Sequence, residues 1–230
     1  VARPGRNLHG HVIDTLGRRI VGGDYAPGHT LDLAELADEL AVSHTVLREA
    51  LRALAEKRLI DARPRRGTFV RQRQEWNLLD RDVLTWRYET QTDMTLLHDL
   101  LEVRESLEPT AARLAAQRHT EADLGELSAA LEQFRGADHV SGKVIAADLR
   151  FHRALFRAAH NEVLEQMELI VEIGLRARDR IAHSREGWHT TVEHHARIAD
   201  AIADRDADRA EKATRILLQH SAASLEHDEA

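Results

Sequence analysis

Asp148 and His152 stand four residues apart in Ile145-Ala146-Ala147-Asp148-Leu149-Arg150-Phe151-His152-Arg153-Ala154-Leu155-Phe156. On a helix they project from one face, one turn apart. The same face runs on to Leu155, Phe156 and Ala159, so it points inward. A carboxylate and an imidazole turned inward each need a partner. A divalent cation is one, because both side chains are metal ligands. A structural Asp–His hydrogen bond is the other, and with 15 His in the chain a chance pairing has weight. His195 sharpens the choice. Its i+3 and i+7 neighbours are Ile198 and Ile202, so it also faces a core, whereas His194 is turned about 100° away. Three donors, Asp148, His152 and His195, would leave coordination positions open for ligand or water, with zinc the preferred ion.

A second set of residues suits a different chemistry. Ser43, His44, Thr45 and Arg48 open an apolar-periodic segment whose inner face is Val46, Leu47, Ala50, Leu51 and Leu54. Hydroxyls and a helix N-terminus can hold a phosphate, and an Arg one turn in reaches a guanine edge or the backbone. Arg52 extends that surface by a turn. Downstream, Leu59–Arg63 and Gly67–Arg71 read as two short strands around Pro64-Arg65-Arg66, a hairpin tip with two Arg, closed by Gly67. The alternative is a solvated basic face.

The elements that must carry these residues are mostly helical. Aromatics are 4% and Ala and Leu abound. Leu8–Val21 is amphipathic, Gly22-Gly23 stops it, and Asp32 is an N-cap for a helix over Leu33–Leu40. The helix from Ser43 or His44 to Lys57–Arg58 then completes a helix-turn-helix, and the hairpin makes it winged. Asp80 starts a short helix with Val83, Leu84 and Trp86, and the pair Trp76 and Trp86 reads as glue between a small domain and a large one. Beyond it, Met94–Arg118, Glu121–Phe134, Val144–Ala159, Val163–Ala182, Thr190–Ala203 and Asp206–Leu225 read as a helical bundle with ligand space between helices. The expected division is residues 1–75 for the winged helix-turn-helix, 76–92 for a connector and 93–230 for the bundle.

Composition narrows the function classes. There is no Cys, which excludes disulfides, thiolate ligands and a Cys nucleophile. No apolar run is long enough for a membrane span and Val1–Gly10 lacks an apolar signal core, so a cytoplasmic protein without a membrane role is expected. Residues 1–75 carry a net charge of +3 and residues 76–230 a net of −10, a weak pointer to nucleic acid on one side and something else on the other.

Residues 8–71 resemble the N-terminal domain of GntR-family regulators. The resemblance rests on Tyr25-Ala26-Pro27-Gly28, on Ser43-His44-Thr45-Val46-Leu47-Arg48-Glu49-Ala50-Leu51-Arg52-Ala53-Leu54, and on Leu59-Ile60 with Arg66-Gly67-Thr68-Phe69-Val70. His44 departs from the Arg usual there. Residues 95–225 resemble the helical effector domain of the FadR-type branch, on Asp148-x3-His152, Phe151-His152-Arg153-Ala154-Leu155, Asn161-x-Val163-Leu164 and His195. That resemblance implies a metal that binds a carboxylate effector, with an Arg, here Arg104, pairing with the carboxylate; an Arg104–Glu108 pair is the competing reading. It also implies a fourth ligand where Leu217 stands. His220, three residues on, is off that face and is left outside the site. Trp188 and Thr191 are further candidates for lining the pocket, Thr191 for a sugar hydroxyl. Trp76-Asn77-Leu78-Leu79-Asp80-x-Asp82-Val83-Leu84-x-Trp86 resembles the branch that regulates galactonate and related sugar-acid operons.

The combined expectation is a mostly α protein: an N-terminal winged helix-turn-helix followed by an all-helical effector-binding domain. It would act as a homodimeric repressor released from double-stranded operator DNA by a small carboxylate, a sugar acid such as galactonate, through altered spacing of the two DNA heads. The rival readings are a metal-dependent enzyme on a small carboxylate, a regulator of another hydroxy or keto acid, and an interaction protein with a structural metal. The enzyme would need a base or nucleophile beside the ion, and no such motif is present.

Overall fold

A computed structural model describes residues 4–90, 94–137, 143–181 and 188–227, with side chains at 8–90, 95–137, 143–176 and 190–222. The chain divides into two compact units, Val1–Thr92 and Asp93–Ala230.

In the first unit, α1 (Pro4–Gly22) is followed by α2 (Leu33–Glu39), α3 (His44–Glu56), β1 (Ile60–Arg63), β2 (Gly67–Val70), a 3₁₀ turn (Arg73–Glu75) and α4 (Arg81–Thr90). The helix starts follow local chemistry. The Asp32 carboxylate accepts from the backbone N–H groups of Ala34 and Glu35, and Ser43 Oγ accepts from that of Val46. The apolar stripe of α3, Leu47, Ala50, Leu51 and Leu54, is buried against Val12, Leu16 and Ile20 of α1. The strands pair antiparallel with Ile60 opposite Val70 and Arg63 opposite Gly67. Thr30 adds a bridge to Phe69, so the sheet gains a one-residue third edge that no period-2 pattern could announce.

Residues 76–90 fold onto this unit. Trp76, Val83 and Trp86 join the core of α1 and α3. Trp86 Nε1–H donates to Asp14 Oδ1 at 2.8 Å, and its ring fills the space that a Cβ on Gly17 would enter.

The second unit holds α5 (Met94–Arg118), α6 (Glu121–Arg135), α7 (Lys143–Ala158), α8 (Glu162–Gln166), α9 (Glu168–Ile181), α10 (Trp188–Ala203) and α11 (Ala207–His227). Helix α5 is its axis, packed by α7, α9, α10 and α11, while α6 lies on α7 and α10. The single helix expected over Val163–Ala182 is two. At Met167 the N–H bonds the carbonyl of Leu164, and Ile170 in turn bonds that of Met167, so the ladder tightens to i→i−3 between α8 and α9. The break lets two segments orient separately. Helix α8 has no buried residue, whereas Ile170–Leu175 is buried throughout.

Candidate metal centre and nucleic-acid surface

Helix α7 is strongly amphipathic, and Ala147, Asp148, Phe151, His152, Ala154 and Leu155 all lie on its buried side. Packing α7 against α5 and α10 against both α5 and α6 brings Asp148, His152 and His195 together, at 2%, 2% and 1% exposure. Asp148 Oδ1 is 3.2 Å from His152 Nε2 and 3.1 Å from His195 Nε2, and the two Nε2 atoms are 3.5 Å apart. Phe134 and Phe151 pack edge-on to His195 at centroid distances of 4.7 and 4.8 Å and hold its ring.

The remaining ring nitrogens settle which atoms face inward. His195 Nδ1 lies 2.7 Å from the carbonyl oxygen of Thr191. A carbonyl can only accept, so Nδ1 carries the proton and Nε2 presents its lone pair. His152 Nδ1 is 3.1 Å from Glu108 Oε2, an ion-pair contact rather than a straight hydrogen bond. Glu108, on α5 and wholly buried, takes its other oxygen to Arg104: Arg104 Nε donates to Oε1 at 2.5 Å. Arg104 is 1% exposed and its Nη1 has no hydrogen-bond partner. Gly174 of α9 makes room for it, since a Cβ there would meet Arg104 Cδ at 3.0 Å.

The electrostatics ask for a cation. Burial opposes the charge on Glu108, yet Arg104 and His152 outweigh it and hold its carboxyl at about 2. Burial likewise opposes ionisation of Asp148, and the neighbouring His152 and His195 imidazoles outweigh it and hold its carboxyl well below the usual range. Burial disfavours a charged His152, but Glu108 and Asp148 on either side push it up to about 9. A proton on His152 is one way to balance the two carboxylates. A divalent ion at Nε2 is another. The donor atoms fit the second: two imidazole nitrogens and a carboxylate oxygen, separated by 3.1, 3.2 and 3.5 Å, match the roughly 3.3 Å edge of a tetrahedron with metal–ligand bonds of about 2.0–2.1 Å. Among the described residues, this is the one group of three His, Asp or Glu side chains so placed.

Arg104 therefore makes the pair with Glu108 that competed with its effector role, and keeps a further buried donor. Thr191 contributes its backbone carbonyl to His195. The Trp188 side chain lies outside the described residues. His220 faces His194, with ring centroids 5.3 Å apart. Leu217 is buried in the apolar core. Glu108 is the site residue that sequence reasoning underused. Its i−4 spacing to Arg104 was visible, but its contact to His152 on another helix was not.

In the first unit, Ser43, His44, Thr45, Arg48, Arg52, Arg65, Arg66 and Gly67 are all exposed. Ser43 caps α3, Arg52 pairs with Glu49 at 3.0 Å, and the Arg66 guanidinium stacks over Phe69 at 3.5 Å. Arg65 and Gly67 take positive φ of 65° and 79° at the hairpin tip, which turns the chain tightly.

Known proteins match the sequence of both units. Residues 8–70 match the gntR family of bacterial regulatory proteins, and residues 99–220 match the FCD domain. The chain is 37% identical over 222 residues to the galactonate operon transcriptional repressor of Escherichia coli (strain K12), covering 95% of this chain and 97% of that one. It is 32% identical over 204 residues to the HTH-type transcriptional regulator LutR of Bacillus subtilis (strain 168), covering 84% and 90%. A solved structure of Lar from Listeria monocytogenes shares the fold, with a TM-score of 0.67 at 18% identity over 99% of this chain and 98% of that one. With a winged helix-turn-helix on one side and a buried polar centre on the other, the chain belongs to the gntR family as a DNA-binding transcriptional regulator with an FCD effector domain, and it is not an enzyme.

Proposed function

We propose that this regulator is a homodimeric repressor released from its operator by a small hydroxy carboxylate of the sugar-acid class, galactonate first among them. Asp148, His152 and His195 hold a divalent ion, zinc by its donor set. When bound, the ion supplies open positions for a carboxylate and an adjacent hydroxyl oxygen. Arg104 takes the remaining carboxylate oxygen through the guanidinium face that Glu108 leaves over. Thr191, whose carbonyl oxygen accepts from His195 Nδ1, would offer its hydroxyl to a sugar hydroxyl of the ligand. Ser43, His44, Thr45, Arg48 and Arg52 meet the major groove, and Arg65, Arg66 and Gly67 meet the backbone or minor groove from the wing. Effector binding shifts the helical domains and so changes the spacing of the two DNA heads. The cytoplasm is where such a protein meets its operator; among the described residues no helix is long and apolar enough to cross a membrane.

The observation that carries this reading is the fully buried set Arg104, Glu108, Asp148, His152 and His195, charged groups that a bundle would not desolvate for packing alone. The 37% identity to a galactonate operon repressor supports the choice of acid. The test uses an operator selected from a random duplex pool by the purified protein. Galactonate should release the labelled duplex, neutral galactose should not, and stripping the ion with chelator should abolish the response until zinc is restored. Equal release by galactose, or an undiminished galactonate response in metal-stripped protein, would overturn it.

A further inference from the structure

We propose that Glu108 is the positioning residue that couples the effector-binding guanidinium to the ion-binding imidazole, so that metal and carboxylate ligand are felt as one event. This rests on the reading of the site given above. The geometry is a single file: Arg104 Nε to Glu108 Oε1 at 2.5 Å, Glu108 Oε2 to His152 Nδ1 at 3.1 Å, and His152 Nε2 to Asp148 Oδ1 at 3.2 Å. Glu108 is 0% exposed, so bulk solvent does not compete for either oxygen. Arg104 and Glu108 are one turn apart on α5, while His152 comes from α7, so the carboxylate is what joins the two helices' chemistry.

Each oxygen has a distinct duty. Oε2 faces Nδ1, which favours the tautomer with the proton on that nitrogen and leaves Nε2 to the ion, the arrangement by which an outer carboxylate orients a metal-bound His. Oε1 fixes the guanidinium through Nε and leaves Nη1, buried and without a hydrogen-bond partner, for a ligand. Gly174 completes the device from α9. Its missing Cβ is the space through which the Arg104 side chain passes to reach Glu108. A carboxylate ligand on the guanidinium shares the positive charge that Oε1 otherwise has to itself, so the same Glu attracts the Nδ1 proton of His152 more strongly and makes that imidazole a better ligand. Coupling of this kind is reciprocal, so the ion must equally favour the ligand.

Glu108→Gln tests it. The amide offers one acceptor where the carboxylate offers two, so it can serve Arg104 or His152 but not both. Full-length protein is titrated with Co²⁺, read by its visible absorption, and with galactonate by calorimetry, each with and without the other. In the wild type each should tighten the other several-fold. In Glu108→Gln the Co²⁺ affinity should fall about 10- to 100-fold and the coupling should shrink to what direct contact between ligand and ion supplies. If Glu108→Gln does not fold by circular dichroism, Arg104→Met/Glu108→Met replaces the pair with apolar side chains of similar length and should show the same loss of Co²⁺ affinity. Co²⁺ affinity within twofold of wild type in whichever folded variant is measured overturns the proposal. A wild type that binds no Co²⁺ also overturns it, but does so before any substitution and through the metal reading itself.

Discussion

The two units bury different things. Among the described residues, every buried polar or charged side chain belongs to the second unit: Arg104, Glu108, His119, Asp148, His152, Glu172, His194, His195, Thr214 and Ser221. The winged-helix unit buries apolar side chains and leaves the Arg of α3 and of the hairpin tip exposed. Under the function proposed above, the difference follows the ligand. DNA is large and charged, and is met at a surface where a guanidinium stays solvated until phosphate replaces water. A small acid must be distinguished from others like it, and desolvated charges do that better, at a cost in stability that well-placed partners offset. On that basis the first unit should lose a functional side chain without structural consequence, and the second should not.

That contrast can be broken most directly at Glu108. Glu108→Ala strands the Arg104 guanidinium in the core, and the helical unit should lose about 3–5 kcal/mol. Denaturant unfolding followed by far-UV circular dichroism reads this, and a loss below about 1 kcal/mol would mean that water reaches the site. Next comes a substitution in the apolar unit. Gly17→Ala drives a methyl into the Trp86 ring, which already occupies that space. The winged-helix unit should lose about 1–3 kcal/mol by overpacking, with changed Trp fluorescence and no change in metal affinity. Unaltered emission and stability would show that α4 is not seated on α1. The smallest structural effect is expected at Arg48. Arg48→Ala should leave stability within about 0.5 kcal/mol. It should still weaken operator binding by about 1–3 kcal/mol, measured by anisotropy at fixed salt. A loss of fold in Arg48→Ala would erase the distinction between the units.

Much of this was legible in residue order because it depends on near neighbours. The caps at Asp32 and Ser43 are hydrogen bonds across two or three residues, and the α3 stripe is one face of one helix. The inward direction of Asp148, His152 and His195 was readable from their i+3, i+4 and i+7 neighbours for the same reason. The break at Met167 was not, because apolar residues continue across it and the two helices differ only in what lies opposite. Nor was the Trp86–Asp14 bond, which spans 72 residues. The close spacing of Trp76 and Trp86 reads as glue between two domains, and their packing on α1 and α3 is set by residues far away in the chain.

Residue types and spacing by themselves determined two apolar-periodic systems of different kind, a short helix-turn-helix with a basic hairpin and a set of long helices with three polar residues on inward faces. Periodicity is a property of the chain, so it needs no third dimension to be read. Which inward faces meet was decided by packing. Helix α5 lies against both α7 and α10, and that choice puts His195 3.1 Å from Asp148 and Glu108 3.1 Å from His152. The physical reason is that a helix face fixes a direction but not a distance. A polar residue turned inward declares a need for a partner, and only the crossing of helices far apart in sequence says which partner arrives and whether a cation fits between them.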